Sequence, residues 1–198
     1  ADSLARVRDV IDLPPLDALR GAEHKRVDIR MEDGYRVEEY VVSPEAGVHL
    51  PVTLYVPHEP NGNTRILVDE GGMALSRTEQ VAMAQSGDAV VAVDLRGLGE
   101  SAQPDNGEGG FQPYFGVDWR EYFLAYLLGK SYVGMRTQDI LATRLFMDHH
   151  IPAEARQGVH LFGYGSAAVA ALHAVALEPD LFSTVQLKKV TMTWKEVV

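Results

Sequence analysis

The residues with the clearest chemical potential lie between a predicted strand and a predicted helix, at positions 158–168. Apolar residues at 159–162 predict a buried strand, Gly163 and Gly165 predict a sharp turn, and the alanine-rich run after Ser166 predicts a helix. Turns of this kind hold a catalytic serine in the pattern G-x-S-x-G, whose middle residue forms the apex. The apex here is Gly165, which has no side chain, so the sequence predicts a retained turn that has lost its nucleophile.

Ser166 follows the apex by one residue and is the remaining candidate for the catalytic nucleophile. Only the apex side chain of such a turn points into an active site, so the shift of one residue aims Ser166 elsewhere. A serine at a helix start also has a structural use, because its hydroxyl can cap free backbone N–H groups. Capping or simple exposure is therefore favoured over nucleophilic attack.

Serine hydrolysis also needs a histidine base and an acid that orients the histidine. Only 33 residues follow Gly165, and the histidine among them, His173, lies eight residues further along the predicted helix. At about 1.5 Å per residue it is roughly 12 Å from the turn, too far to be the base. Asp180 and Glu196 have no later histidine to orient. The strands that would carry the acid and the base are predicted to be missing.

The other histidines do not have the spacing of metal ligands. His149 and His150 are adjacent at a predicted helix end, where interaction with the helix dipole explains them, and His160 alternates with apolar residues in a strand. The chain contains no cysteine. We therefore predict no metal and no cofactor.

Composition narrows the possible partners. A net charge of −10 disfavours nucleic acids, which are bound through clustered Lys and Arg. No apolar run reaches the length of a membrane span, so no membrane insertion is expected. The 46% hydrophobic fraction is that of a soluble globular protein.

The order of the predicted elements indicates an α/β fold. Residues 1–22 form a helical or irregular lead-in, and residues 23–198 form one domain. Strands are predicted at about 24–30, 35–42, 49–57, 66–68, 89–93, 159–162 and 183–190, and helices at about 77–86, 118–128 and 136–149. Alternating strands followed by strand–helix units predict a mostly parallel sheet with an antiparallel N-terminal edge and helices on both faces.

Three separated motifs now agree: the turn at 94–101, the pair Gly71 and Gly72 after a buried strand, and the turn around Gly165. Together they resemble the α/β-hydrolase superfamily over residues 35–190, with the C-terminal strands missing. The segments at 128–140, 171–179 and 193–198 are similar to those of the acetyl xylan esterase-related group.

The resemblance implies a place for an oxyanion hole. The loop after the earlier strand would supply backbone N–H groups from Gly71, Gly72 and Met73, with Ser166 as the second donor. Glu70 would put a carboxylate close to this hole and oppose an oxyanion. A plain strand-to-helix turn explains the two glycines equally well.

Aromatic residues cluster in and after a Gly/Pro-rich loop. Phe111, Tyr114 and Phe115 could stack on sugar rings, or could pack under a cap or at an interface. Tyr122, Phe123 and Tyr126 have the spacing of one helix face, which predicts that they are buried in the core.

Three functional hypotheses follow. The first is a non-catalytic α/β-hydrolase-like domain, which would partner the remainder of a larger esterase-type polypeptide or form a homo-oligomer. The second is an active carboxylic ester hydrolase acting on acetylated carbohydrate, which would use Ser166 or machinery from a segment outside this chain. The third is a binding module that reuses the hydrolase pocket for a carbohydrate ester ligand. An extracytoplasmic location is implied by the resemblance alone.

Overall fold

Within the residues that the structure describes, 2–102 and 119–190, seven strands form one mixed sheet in a computed structural model. The strands are β1 (Glu23–Glu32), β2 (Tyr35–Ser43), β3 (Leu50–Pro57), β4 (Asn63–Asp69), β5 (Ala89–Val93), β6 (Gly158–Tyr164) and β7 (Thr184–Lys188). Their order across the sheet is β1-β2-β3-β5-β4-β6-β7. All seven predicted strands are present, within three residues of their predicted bounds.

The sheet has an antiparallel N-terminal part and a parallel main part. Neighbours from β1 through β2 and β3 to β5 pair antiparallel, whereas β5, β4, β6 and β7 run parallel to one another. This confirms the predicted α/β sheet with an antiparallel N-terminal edge. Because parallel strands end on the same edge, the loops after β4, β5, β6 and β7 meet there, which is where open α/β sheets place their sites.

Helices cover both faces of this sheet. They are α1 (Asp2–Val10), α2 (Leu16–Leu19), α3 (Arg77–Gln85), α4 (Trp119–Leu127), α5 (Tyr132–Phe146) and α6 (Ser166–Leu177). α3 packs on β3 and β5, while α6 packs on β4, β6 and β7 and against α5. In the described part of the chain no helix combines the length and the apolarity that crossing a membrane requires.

Two apolar cores follow from the alternation of side chains along the strands. Val91 faces the α5–α6 side and packs in one core with Ile66 and Leu161, all fully buried. Its neighbour Val90 faces the other side and packs near Ala84 of α3. Each such buried aliphatic side chain stabilises the fold by roughly 1.5–3 kcal/mol.

A buried ion pair fixes the loop after β5 against α5. Arg96 donates from Nη2 to Asp139 Oδ1 at 2.6 Å and from Nε to Oδ2 at 2.9 Å, and Asp139 is completely buried. The backbone N–H of Arg96 also donates to Oδ2, at 3.1 Å. The turn that follows β5 and borders the candidate site is therefore attached to α5 by charge-assisted hydrogen bonds.

The predicted burial of Tyr122, Phe123 and Tyr126 is wrong. All three are exposed on α4, which packs through the buried Ala125 and through an edge-on contact between the Tyr122 and Tyr132 rings. Their spacing identifies a shared helix surface, but the helix turns that surface to solvent. The other aromatic candidates, Phe111, Tyr114 and Phe115, lie outside the described residues.

Candidate active site

The turn between β6 and α6 has the form that the sequence predicts. β6 ends at Tyr164, α6 begins at Ser166, and Gly165 between them has φ 62° and ψ −135°, a conformation that favours glycine. The Gly165 N–H donates to the carbonyl of Lys188 at 3.0 Å, which ties the turn to the end of β7. A Cβ at Gly163 would lie 2.8 Å from the Ala168 Cα, so this glycine permits the close approach of α6 to β6.

The space in front of the apex is filled by Glu70. A Cβ built on Gly165 would overlap the carboxyl carbon and both carboxylate oxygens of Glu70. The same carboxylate accepts a hydrogen bond from the Ser166 backbone N–H at 2.9 Å. Glu70 thus occupies the volume of a nucleophilic side chain and also takes the N–H donor that follows a nucleophile.

This position of Glu70 follows from the pairing of β4 with β6. Asp69 lies opposite Tyr164 in the parallel register, so the next residue of each strand, Glu70 and Gly165, meet at the edge of the sheet. The sequence placed a carboxylate near the site, but it did not predict that the carboxylate enters the apex. The available signal was a glutamate directly after one strand and a glycine directly after the other.

Ser166 is the first residue of α6 and its side chain is exposed. The N-cap residue of the helix is Gly165, which has no side chain with which to cap. The sequence favoured either capping or simple exposure for the Ser166 hydroxyl, and the structure shows an exposed side chain. Within the turn, the backbone N–H of Ser166 donates a hydrogen bond to Glu70.

The loop after β4 brings Gly71, Gly72 and Met73 to the same edge, but each N–H already has an acceptor. The Gly71 N–H donates to Asp69 Oδ1 at 2.8 Å, and the Gly72 N–H donates to the Asp69 carbonyl at 3.1 Å. The Met73 N–H donates to Asp94 Oδ1 at 2.6 Å. An oxyanion would have to displace one of these bonds to be stabilised by this loop.

Asp94, at the end of β5, joins the two loops that flank the site. Its buried carboxylate accepts from the N–H of Met73 and, at 2.8 Å, from the N–H of Glu100. A Cβ on Gly72 would lie 2.5 Å from the Gly99 Cα, so both glycines are needed for the loops to approach each other. The Asp94 carboxylate therefore holds the two loops that shape the site in place.

A cation lies close to the turn on the β7 side. The Lys189 ammonium group is 5.1 Å from the centre of the Tyr164 ring. Its interaction with Tyr164 and, to a smaller extent, the negative charge of Glu70 raise the pKa of Lys189. Lys189 is fully exposed and therefore remains a solvated, protonated group.

Three of the described histidines, His150, His160 and His173, have partners away from the turn. His173 bonds the Val169 carbonyl at 2.8 Å within α6, and His160 lies between Thr184 and Asn63. His150 packs instead against Tyr40. None of these three histidines contacts Gly165 or Ser166 through the interactions described above. The described residues hold no group of three or more side chains suited to a metal ion.

A small cavity lies beside the turn. It has a volume of about 160 Å³ and lies beside α3, lined by Asp69, Phe162, Tyr164 and Lys188 among others. Pockets for drug-sized ligands usually measure roughly 300–1,000 Å³, so this one would admit only a small group.

The fold is shared with esterases of known structure. A Bacteroides fragilis protein assigned as an acetyl xylan esterase matches with a TM-score of 0.70 and 16% identity, over 92% of this chain and 50% of its own. This chain has the α/β-hydrolase fold of acetyl xylan esterases. Acetyl xylan esterase 1 from Thermoanaerobacterium sp. JW/SL YS485 matches with a TM-score of 0.59 and 16% identity, over 93% of this chain and 56% of its own.

A third esterase shares the fold of this chain. The acetyl xylan esterase from Paenibacillus sp. R4 matches with a TM-score of 0.54 and 17% identity, over 89% of this chain and 61% of its own. The chain thus spans about 50–61% of the length of these three esterases. No protein-family model and no curated protein matches the sequence.

Proposed function

We propose that this chain is a non-catalytic α/β-hydrolase-like domain related to carbohydrate esterases. The observation that carries the proposal is the Glu70 carboxylate at the apex of the turn. Acyl transfer needs a nucleophile at that apex and free N–H donors for the negative charge that develops on the substrate oxygen. Here the Glu70 carboxylate occupies the same place.

The rest of the candidate site supports the same proposal. Gly165 offers no nucleophilic atom, and Ser166 is the exposed first residue of α6 rather than the residue at the apex. The N–H groups of Gly71 and Gly72 donate to Asp69, and the Met73 N–H donates to Asp94 of the neighbouring loop. A chain of this kind would act as a structural or binding part of an esterase-type protein rather than as its reaction centre.

The decisive test is turnover of a chromogenic acetyl ester by the purified chain and three variants. We expect wild type, Ser166→Ala, Gly165→Ser and the Gly165→Ser/Glu70→Ala double variant all to hydrolyse the ester no faster than buffer without protein, as should a matched Ser3→Ala control. The double variant restores an apex hydroxyl and removes the blocking carboxylate, but it supplies no base. Wild-type turnover that Ser166→Ala abolishes, while Ser3→Ala retains it, would instead favour an active ester hydrolase.

A further inference from the structure

A second cavity lies over the antiparallel part of the sheet, on the side that α3 covers. Its volume is about 280 Å³, close to the lower end of the roughly 300–1,000 Å³ of ordinary ligand pockets. It is lined by residues of β1, β2 and β3, by the start of α3 and by the two loops that Asp94 joins. None of the described residues that line it belongs to the turn at Gly165, so it is separate from the candidate active site. We name it the β3 cavity.

The hydroxyl group of Tyr55 faces the β3 cavity without a partner. Tyr55 is only 3% exposed, and its hydroxyl makes no hydrogen bond with any residue that the structure describes. Burial raises the pKa of Tyr55, so the hydroxyl remains protonated and can donate. A hydroxyl on a buried side chain that lacks a partner destabilises the protein, because its hydrogen bonds to bulk water have been lost. A group bound in the cavity would supply the missing bond.

Gln80 adds a buried acceptor to the same cavity. Gln80 is 2% exposed, and its Nε2 donates to the Met73 carbonyl at 2.7 Å and to Ser76 Oγ at 2.8 Å. These two bonds use both N–H groups of the amide and therefore direct its oxygen, Oε1, away from them. Oε1 has no donor among the described residues, so it remains available to accept a hydrogen bond.

The charged side chains of the cavity divide into a paired and an unpaired set. Arg30 donates from Nη2 to Glu39 Oε1 at 2.7 Å, so these two charges balance each other. Arg77 and Glu100 also line the cavity, and neither forms an ion pair within the described part of the chain. The charge of Arg77 reaches Tyr55, where it opposes the larger effect of burial on the pKa. The cavity therefore offers one available cation near the Tyr55 hydroxyl and one available anion.

Apolar side chains complete the lining, among them Val41, Pro51 and Met73. They favour an apolar group on the ligand, because its burial removes apolar surface from water. A ligand that satisfies the whole cavity has one negative charge, one positive charge and an apolar side chain. A simple carboxylate would face the unpaired Glu100, and a simple amine would face the unpaired Arg77.

We propose that the β3 cavity binds a free amino acid with an apolar side chain. The carboxylate of the ligand accepts hydrogen bonds from Tyr55 and Arg77, and its ammonium group donates to Glu100 and to Gln80 Oε1. Its side chain packs on the apolar lining. This binding is independent of whether the turn at Gly165 is catalytic.

Isothermal titration calorimetry with L-leucine and two analogues tests the choice of ligand. The analogue 4-methylpentanoate has the carboxylate and side chain of leucine but no ammonium group, whereas 3-methylbutylamine has the ammonium group but no carboxylate. We expect leucine to bind, and each analogue to bind at least about tenfold more weakly, because each leaves one charge of the cavity unpaired. A dissociation constant above about 10 mM for leucine, or an analogue that binds as tightly as leucine, would overturn the proposal.

Two variants test the position of the ligand. Tyr55→Phe removes the donor to the carboxylate and should weaken leucine binding about tenfold. Glu100→Gln alters an exposed side chain and should abolish most of the preference for leucine over 4-methylpentanoate. The matched control is Tyr35→Phe, which removes the hydroxyl of another buried tyrosine that does not line the cavity, and it should leave the affinity unchanged. Equal losses in Tyr55→Phe and Tyr35→Phe, or an unchanged preference in Glu100→Gln, would contradict the proposed site.

Discussion

A side chain at position 165 and the carboxylate of Glu70 compete for the same space, so substitutions at the two positions should be coupled. Gly165→Ala places its Cβ inside the Glu70 carboxylate and holds alanine at φ 62°, ψ −135°. The backbone strain costs about 1–3 kcal/mol. Displacement of Glu70 also breaks its hydrogen bond with the Ser166 N–H, which adds roughly 1 kcal/mol.

These contributions fix the expected energies of a double-mutant cycle. Gly165→Ala should lower the free energy of unfolding by about 2–4 kcal/mol. Glu70→Ala should lower it by roughly 1 kcal/mol, because it removes the same exposed hydrogen bond. In the double variant that bond is lost only once, so the total should be about 1 kcal/mol smaller than the sum of the two single effects.

Urea denaturation followed by circular dichroism measures all four proteins. The matched control pairs Gly165→Ala with Glu154→Ala, an exposed glutamate before the start of β6, where the two effects should add within about 0.5 kcal/mol. If the effects of Gly165→Ala and Glu70→Ala also add within that margin, Glu70 does not occupy the apex in solution. The central observation behind the proposed loss of catalysis would then be wrong.

Two further predictions concern the groups that hold the framework. Asp139→Ala leaves the largely buried Arg96 guanidinium with only the partly exposed Glu45 as its ion-pair partner, and it should cost about 3 kcal/mol by the same denaturation assay. Asp148→Ala, in a partly exposed ion-pair group, should cost about 1 kcal/mol or less; equal losses would contradict this account. Burial, and to a smaller extent the charge of His24, hold the pKa of His150 below its ordinary value. As the pH falls, the unfolded state therefore binds a proton before the folded state does. The free energy of unfolding should decrease as the pH drops below about 6.5. His150→Gln should flatten this decline and His173→Gln should not; identical pH profiles for the two variants would refute it.

The fold could be predicted from the sequence because its strongest signals are local. The continuous apolar run of β5 predicts a strand buried on both faces, and all five of its residues are buried. The glycines around position 165 likewise mark a turn that only a tight strand-to-helix connection requires. Short-range patterns of this kind predict the local structure because the backbone conformation of the turn is set by its own residues.

The parts that the sequence did not predict depend on long-range placement. The spacing of Tyr122, Phe123 and Tyr126 shows that they share one region of a helix, but it does not reveal which side the sheet occupies. In the structure the buried Ala125 faces the rest of the protein, and Tyr122 contacts the Tyr132 ring of α5 at its edge while about half of its own surface stays exposed. The contact between Glu70 and Gly165 similarly depends on the β4–β6 register, which joins residues almost a hundred positions apart.

The position of the Glu70 carboxylate at the turn explains why a serine alone should not restore catalysis. In an ester hydrolase, negative charge appears beside the N-terminus of this helix only as the transition state forms. In this chain the Glu70 carboxylate supplies that charge permanently and gains from both the Ser166 N–H and the positive end of the α6 dipole. A restored nucleophile would have to displace a favourable interaction before it met a substrate. Activity would therefore require the apex hydroxyl, an uncharged residue at position 70 and a histidine base together, because each removes a different obstacle.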